Sequence, residues 1–251
     1  MVRTAAVRTA WRRFRQMPPG AQAAAAFAAC LALWVCANAL VQIARKPTEL
    51  FFPVSGVLDK MPGETWREYG ATFREHSTEV MTPGLLAALA QAEGAGNPLA
   101  RAPWRWRLAE DPFDVYRPSS TAVGMYQITD GTLRRARQFC IHRHRVAWDG
   151  PWYDWRSCWF NALYFRVLPS HAAEMTSGFL DHEVGRVAPR AALREKQDLA
   201  AVMHLCGVAA GVDFARNGFR PARRQRCGGQ DVAGYLAQVR ALQRSFDALD
   251  R

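Results

Sequence analysis

No aspartate or glutamate occurs before Glu49, and that absence is more informative than the overall charge. The 251 residues carry a formal charge of +11, which by itself invites a nucleic-acid reading. Yet the first 46 residues hold 7 Lys/Arg and no acid, leaving 26 basic and 22 acidic residues, +4, for the rest. The basicity is concentrated at one end, so a nucleic-acid partner is not expected. No Cys-x-x-Cys pair occurs, which removes the zinc ribbon. "HEVGR" at 182–186 lacks the second histidine of a zincin helix, and "HRH" at 142–144 fits a solvated basic turn better than a metal site. Neither a metal nor a cofactor is expected. No stretch alternates like a sustained β-strand and no internal repeat is present, so the class is mainly α.

What the amino terminus does contain is an export signal. Residues 1–20 carry Arg3, Arg8, Arg12, Arg13 and Arg15, a basic flank expected to stay in the cytoplasm. Residues 21–44 are uncharged and long enough to cross a bilayer. A cleaved signal peptide is the rival, with Ala37-Asn38-Ala39 as a small-residue cleavage site. The run continues past that site to Arg45-Lys46, which favours a retained single-pass anchor in the inner membrane. Apolar chain also follows Cys30, unlike a lipoprotein signal. Either way the remainder is exported to the periplasm. There the four cysteines beyond the apolar run, Cys140, Cys158, Cys206 and Cys227, are expected to oxidise. Their sequence neighbours suggest Cys140–Cys158 and Cys206–Cys227, although four cysteines allow three connectivities.

Within the exported chain, residues 45–79 read as a proline-punctuated linker followed by a short accessory helix over 64–78. The main domain then occupies 80–251. Residues 97–120 contain four prolines and two tryptophans and look irregular, a length that usually signals function. Helices are expected from 131 through "GTLRRARQFCIHR" and from 157 through "SCWFNALYFRVLPSHAAEM". A further helix over 197–216 should break near Gly207, and a clean amphipathic helix starts near Val232. Trp148, Trp152, Trp155 and Trp159 are expected mainly as core, although aromatic faces also suit sugar rings.

One segment, "LLAALAQAEGAGNP" at 85–98, poses a specific problem: an apolar helix ends on a carboxylate. Thr82-Pro83 supplies an N-cap and a proline suited to the first turn. Leu85, Leu86 and Leu89 form the apolar stripe, and Gly94, Gly96 and Pro98 end the helix over about 82–93. Glu93 follows Leu89 by four residues and Leu86 by seven, so it projects from the face that should be buried. Burial and the negative end of the helix dipole both favour a carboxyl group that keeps its proton near neutral pH. The alternative is a partly buried glutamate paired with an arginine.

Glu93 is followed by "SSTAVGMYQITDGT" at 119–132, "FNALY" at 160–164 and "MHLCG" at 203–207. This order resembles the soluble-lytic-transglycosylase family, lysozyme-like enzymes that cut peptidoglycan. Glu93, Asn97, Pro98 and Ala100 fit the family's catalytic segment, with Gly94 where serine is usual. Gly124, Met125, Tyr126 and Gln127 fit its Gly-Leu-Met-Gln motif, and His204 stands where the third motif has tyrosine. The resemblance covers roughly residues 80–215 and implies a lysozyme-like domain, of the goose-type kind, behind a transmembrane helix. It implies Glu93 as a single general acid and base that closes a 1,6-anhydro ring on the muramyl sugar. Gly124, Met125, Tyr126, Gln127, Asn161 and His204 are then expected along the glycan cleft, and peptidoglycan strands are the expected partner. A wall-spanning secretion apparatus is a further possible partner. Ordinary glycosidases need a second carboxylate; Asp111, Asp114 and Asp130 are the candidates, all in turn-like contexts. Two alternatives stay open: a hydrolytic goose-type-like lysozyme, and an inactive peptidoglycan-binding module.

Overall fold

A computed structural model describes residue 12 and residues 14–51, 53–148, 150–154 and 156–251. Arg3, Arg8, Arg13 and Trp155 lie outside the described residues. The chain divides into two compact units, one of residues up to Leu50 with Trp104–Arg117, the other of Phe51–Pro103 with Pro118–Arg251.

The first unit is built on helix α1, Pro19–Arg45, which opens on a proline in its first turn. It is long and apolar enough to cross a membrane, and most of its side chains are exposed. Asn38 and Gln42 are the exceptions, both buried against the chain at 104–117. That segment is not wholly irregular: Trp104–Trp106 (β1) pairs with Tyr116–Pro118 (β2).

The second unit is mainly helical. Helix α2 spans Pro62–Glu75 and α3 spans Pro83–Gly94. The Thr82 hydroxyl accepts from the Leu85 N–H, the cap expected from sequence. Leu85 through Ala90 are all essentially inaccessible, so α3 is buried on every side rather than along one stripe. Its main neighbours are α2 and the terminal helix α8, Val232–Leu249. Trp66 and Phe73 of α2 share the core with Phe246 of α8, and the Trp66 indole donates to the Leu249 carbonyl at 3.1 Å. Helix α2, expected over 64–78 as an accessory helix, is thus integral to the domain core.

Three sequence expectations change between α3 and the next long helix. Helix α4 covers only Asp130–Ala136; the chain then forms β3, Phe139–His142, antiparallel to β4, Arg145–Trp148. The connecting residues Arg143 and His144 both have positive φ, 50° and 61°, the two-residue turn whose twist suits a hairpin. Helix from 157 is also wrong. Trp159–Leu163 is a short 3-10 turn, and α5 begins at Pro169 and runs to Val187. Finally, Trp148, Trp152 and Trp159 are exposed instead of forming core. The break at Gly207 is as expected, dividing α6, Leu193–Cys206, from α7, Val208–Arg216.

Two disulfides, Cys140–Cys158 and Cys206–Cys227, hold the hairpin and the end of α6. Their Cα separations of 5.5 and 5.3 Å lie in the ordinary range. Each closes a loop of about 20 residues, a constraint worth roughly 3 kcal/mol in the chain-entropy account. Reduction should therefore shift the urea midpoint of the exported domain strongly downward. Peptide mapping of the unreduced protein should find free thiols only at Cys30 and Cys36.

Candidate functional site

Helix α3 ends where it meets solvent. Ala95 adopts the left-handed conformation at φ 50°, and the Gly96 N–H returns to the Ala90 carbonyl at 3.1 Å. Glu93 sits in this last turn, half-buried. Its Oε1 accepts a 2.6 Å hydrogen bond from the hydroxyl of Tyr235, a buried residue of α8. Burial, and secondarily the negative charge of Glu93, hold the Tyr235 pKa well above its ordinary value. The phenol therefore stays protonated and can act only as donor when Glu93 is ionised.

Gly94 explains how the following loop approaches Glu93. A Cβ there would lie 2.8 Å from the Met125 Cα and 2.9 Å from its carbonyl oxygen. Any side chain, serine included, would push the 124–127 loop away. That loop turns on Gly124, at φ 84°, where a Cβ would meet the Arg166 carbonyl at 2.3 Å. Gln127, at φ 47°, closes the turn with both its backbone N–H and its side-chain amide directed to the Gly124 carbonyl, each at 3.0 Å.

Glu93 lines a surface depression of about 420 Å³, together with Ser55, Asp59, Asn97 and Arg101. Asn97 is fully buried and braces the depression by donating to the Asp59 carboxylate at 2.7 Å. Gln127 and His204 line a different depression of about 580 Å³, with Thr132, Phe179, Met203 and Val208. Glu93 and His204 nonetheless interact electrostatically. Burial lowers the His204 pKa below 6.5, while the Glu93 charge and a hydrogen bond with the Tyr126 backbone oppose that shift. His204 is therefore neutral at pH 7. A lowered native pKa means the unfolded chain takes up the proton first, so this group subtracts stability as pH falls below about 6.5.

Several expected cleft residues are placed elsewhere. Met125 and Tyr126 have no exposed surface and belong to the hydrophobic core, so neither lines a cleft. Gly124 is buried as well. Asn161 is also fully buried; its amide donates to the Phe139 carbonyl at 2.6 Å and fixes the β3–β4 hairpin. Among the candidate second carboxylates, Asp130 is engaged by Arg166 at 2.8 Å. Asp111 and Asp114 pair with Arg45 in the first unit, at 3.1 and 2.6 Å. Sequence reasoning missed Tyr235, whose place in an amphipathic stripe made it look like core. Asp59 was missed because it falls in a stretch read as linker. Among the described residues no cluster of three or more His, Cys, Asp or Glu is disposed to hold a metal.

The chain matches no family model, and no curated protein or solved structure matches it.

Two tyrosines give a paired test. The Tyr126 hydroxyl is buried with no hydrogen-bond partner among the described residues. Tyr126→Phe removes an unsatisfied group and should leave the melting temperature unchanged or raise it. Tyr235→Phe removes the donor to Glu93 and should cost about 1–2 kcal/mol. Urea titration of both variants beside the parent reads the difference.

Proposed function

We propose that this protein is a peptidoglycan lytic transglycosylase with Glu93 as its single general acid and base. The observation that carries the reading is the end of α3. There an apolar helix delivers one carboxyl group to a surface depression, and the Tyr235 hydroxyl fixes its orientation. The mainly helical second unit is compatible with a lysozyme-like domain, and the order of the Glu93 and Gly124–Gln127 segments supports it. The close packing of Gly94 on Met125 ties these two segments together in space.

In this mechanism the protonated Glu93 donates to the glycosidic oxygen between the muramyl and glucosaminyl sugars, and the bond from the muramyl C1 to that oxygen breaks. The carboxylate then takes the proton from the muramyl 6-hydroxyl as that oxygen bonds to C1. The anhydro ring closes, and Glu93 is again protonated, so no water is consumed. His204, neutral at pH 7, tunes the field at Glu93 without supplying the proton. Helix α1 serves as an inner-membrane anchor with the domain in the periplasm; the basic flank sets that orientation. The exposed Trp148, Trp152 and Trp159 offer faces for sugar rings.

A hydrolytic second reading is favoured by one observation: Asp59 lines the same depression as Glu93 and could position a water. Digestion of purified peptidoglycan by the parent, Glu93→Gln and Asp59→Asn, followed by mass spectrometry of the products, separates the readings. Transglycosylation predicts anhydro-muropeptides from the parent and a loss of about 10²–10⁴-fold in Glu93→Gln. Reducing-end products that vanish in Asp59→Asn would select hydrolysis. An inactive parent that still binds wall would select the binding module.

A further inference from the structure

Helix α1 is longer than a bilayer requires. Its 27 residues rise about 40 Å, against a hydrocarbon core of about 30 Å. Counted from Pro19, the core is crossed by about residue 38. The surplus is at the exported end, and a polar stripe runs into it from the last turns of the spanning stretch. Trp34, Asn38, Gln42 and Arg45 recur at intervals of three or four residues and share one face.

The segment 104–117 is fitted to this stripe. Asn38 donates to the Tyr116 carbonyl at 2.8 Å and Gln42 to the Phe113 carbonyl at 2.5 Å. Arg45 bonds both Asp111 and Asp114, and the Trp34 ring stacks on Trp106 with centroids 5.9 Å apart. Two carbonyls that an open hairpin would leave to water are thereby satisfied by side chains, the condition for backbone close to lipid. Trp106 and Leu108 nevertheless remain largely exposed, Leu108 completely so. Arg105 and Arg107 alternate with them along the chain and are also exposed.

We propose that residues 104–117 form a second membrane contact, a hairpin docked on the exported end of α1 with Trp106 and Leu108 in the outer boundary of the bilayer. The occupant of that apolar surface is phospholipid. Its apolar side chains continue the lipid-facing surface of α1, and a stacked tryptophan pair suits the interfacial belt. Arg105 and Arg107 match the phosphate headgroups. The docking also buries Asn38, the middle residue of the small-residue cleavage site Ala37-Asn38-Ala39, so the proposal rests on α1 being retained as a spanning helix.

The test uses the full chain in nanodiscs of phosphatidylethanolamine and phosphatidylglycerol. A spin label is placed at Leu108→Cys in a Cys30→Ser, Cys36→Ser background. Collisional accessibility to oxygen should exceed that to a water-soluble nickel chelate. Adding Asn38→Leu and Gln42→Leu should release the hairpin and raise nickel accessibility several-fold. Quenching of tryptophan fluorescence by lipids brominated high on the acyl chain should fall in Trp106→Phe. A label in water in the parent background overturns the proposal, as does one shielded from both reagents, which would mark a second copy instead. Unchanged accessibility without Asn38 and Gln42 overturns the docking. Extraction of the chain from membranes by alkaline carbonate would instead remove the spanning premise, separately from any loss of wall-cutting activity.

Discussion

Helix α3 has no solvent face before its last turn, and the second unit is arranged around that condition. A helix that turns Leu85 through Ala90 entirely inward must be enclosed on all sides, and alanines at half of those six positions let the neighbours come close. At its start, a Cβ on Gly84 would sit 2.0 Å from the Asp247 carboxylate of α8. At its far end, Gly94 presses on the Met125 backbone. Between these contacts the helix has almost no freedom to slide. The half-buried Glu93, in the last turn, inherits that rigidity, a property that suits the proton-transfer role proposed for it.

Two of the molecule's tyrosine–glutamate hydrogen bonds make an instructive contrast. Glu174, in α5, accepts from the Tyr164 hydroxyl at 2.5 Å and from the Ile141 N–H at 2.8 Å. It is almost wholly buried, and its donors tie α5 to strand β3 through Ile141 and to the chain after the 3-10 turn through Tyr164. Glu93 has the same kind of tyrosine partner but lines an open depression. Similar local chemistry is architectural where the carboxylate is buried among donors of its own chain. It becomes available for work where one face of the carboxyl group is left to a visitor.

Local signals were legible in the sequence wherever a single residue type fixes the backbone. Thr82-Pro83 marked the start of α3, and Gly207 marked the break between α6 and α7. The disulfide pairs followed from neighbouring cysteines. Legibility failed where tertiary packing overrode local preference. Arg143-His144 gives no glycine or asparagine to announce a positive-φ turn, so the β3–β4 hairpin passed for helix. Met125 and Tyr126 lie beside a cleft motif in sequence, yet the turn at Gly124 directs both side chains inward. Glu93 stood out in the sequence because a charge at an apolar position is conspicuous. Its tyrosine partner was not, because a tyrosine in an amphipathic stripe is ordinary.

The separation of those partners has a kinetic consequence. Glu93 and Tyr235 are 142 residues apart, and the Trp66 indole reaches a carbonyl 183 residues downstream. The two disulfides, by contrast, span only 18 and 21 residues. Short covalent loops can close early, while α3 must wait for α8, which lies far downstream of it in the chain. Until that helix docks, Leu86 and Leu89 have no lid and the Glu93 carboxyl has no tyrosine to hold it. A chain in which α8 has not yet docked thus carries the carboxylate without its orienting hydroxyl, and the Glu93 setting is complete only once these two distant segments meet.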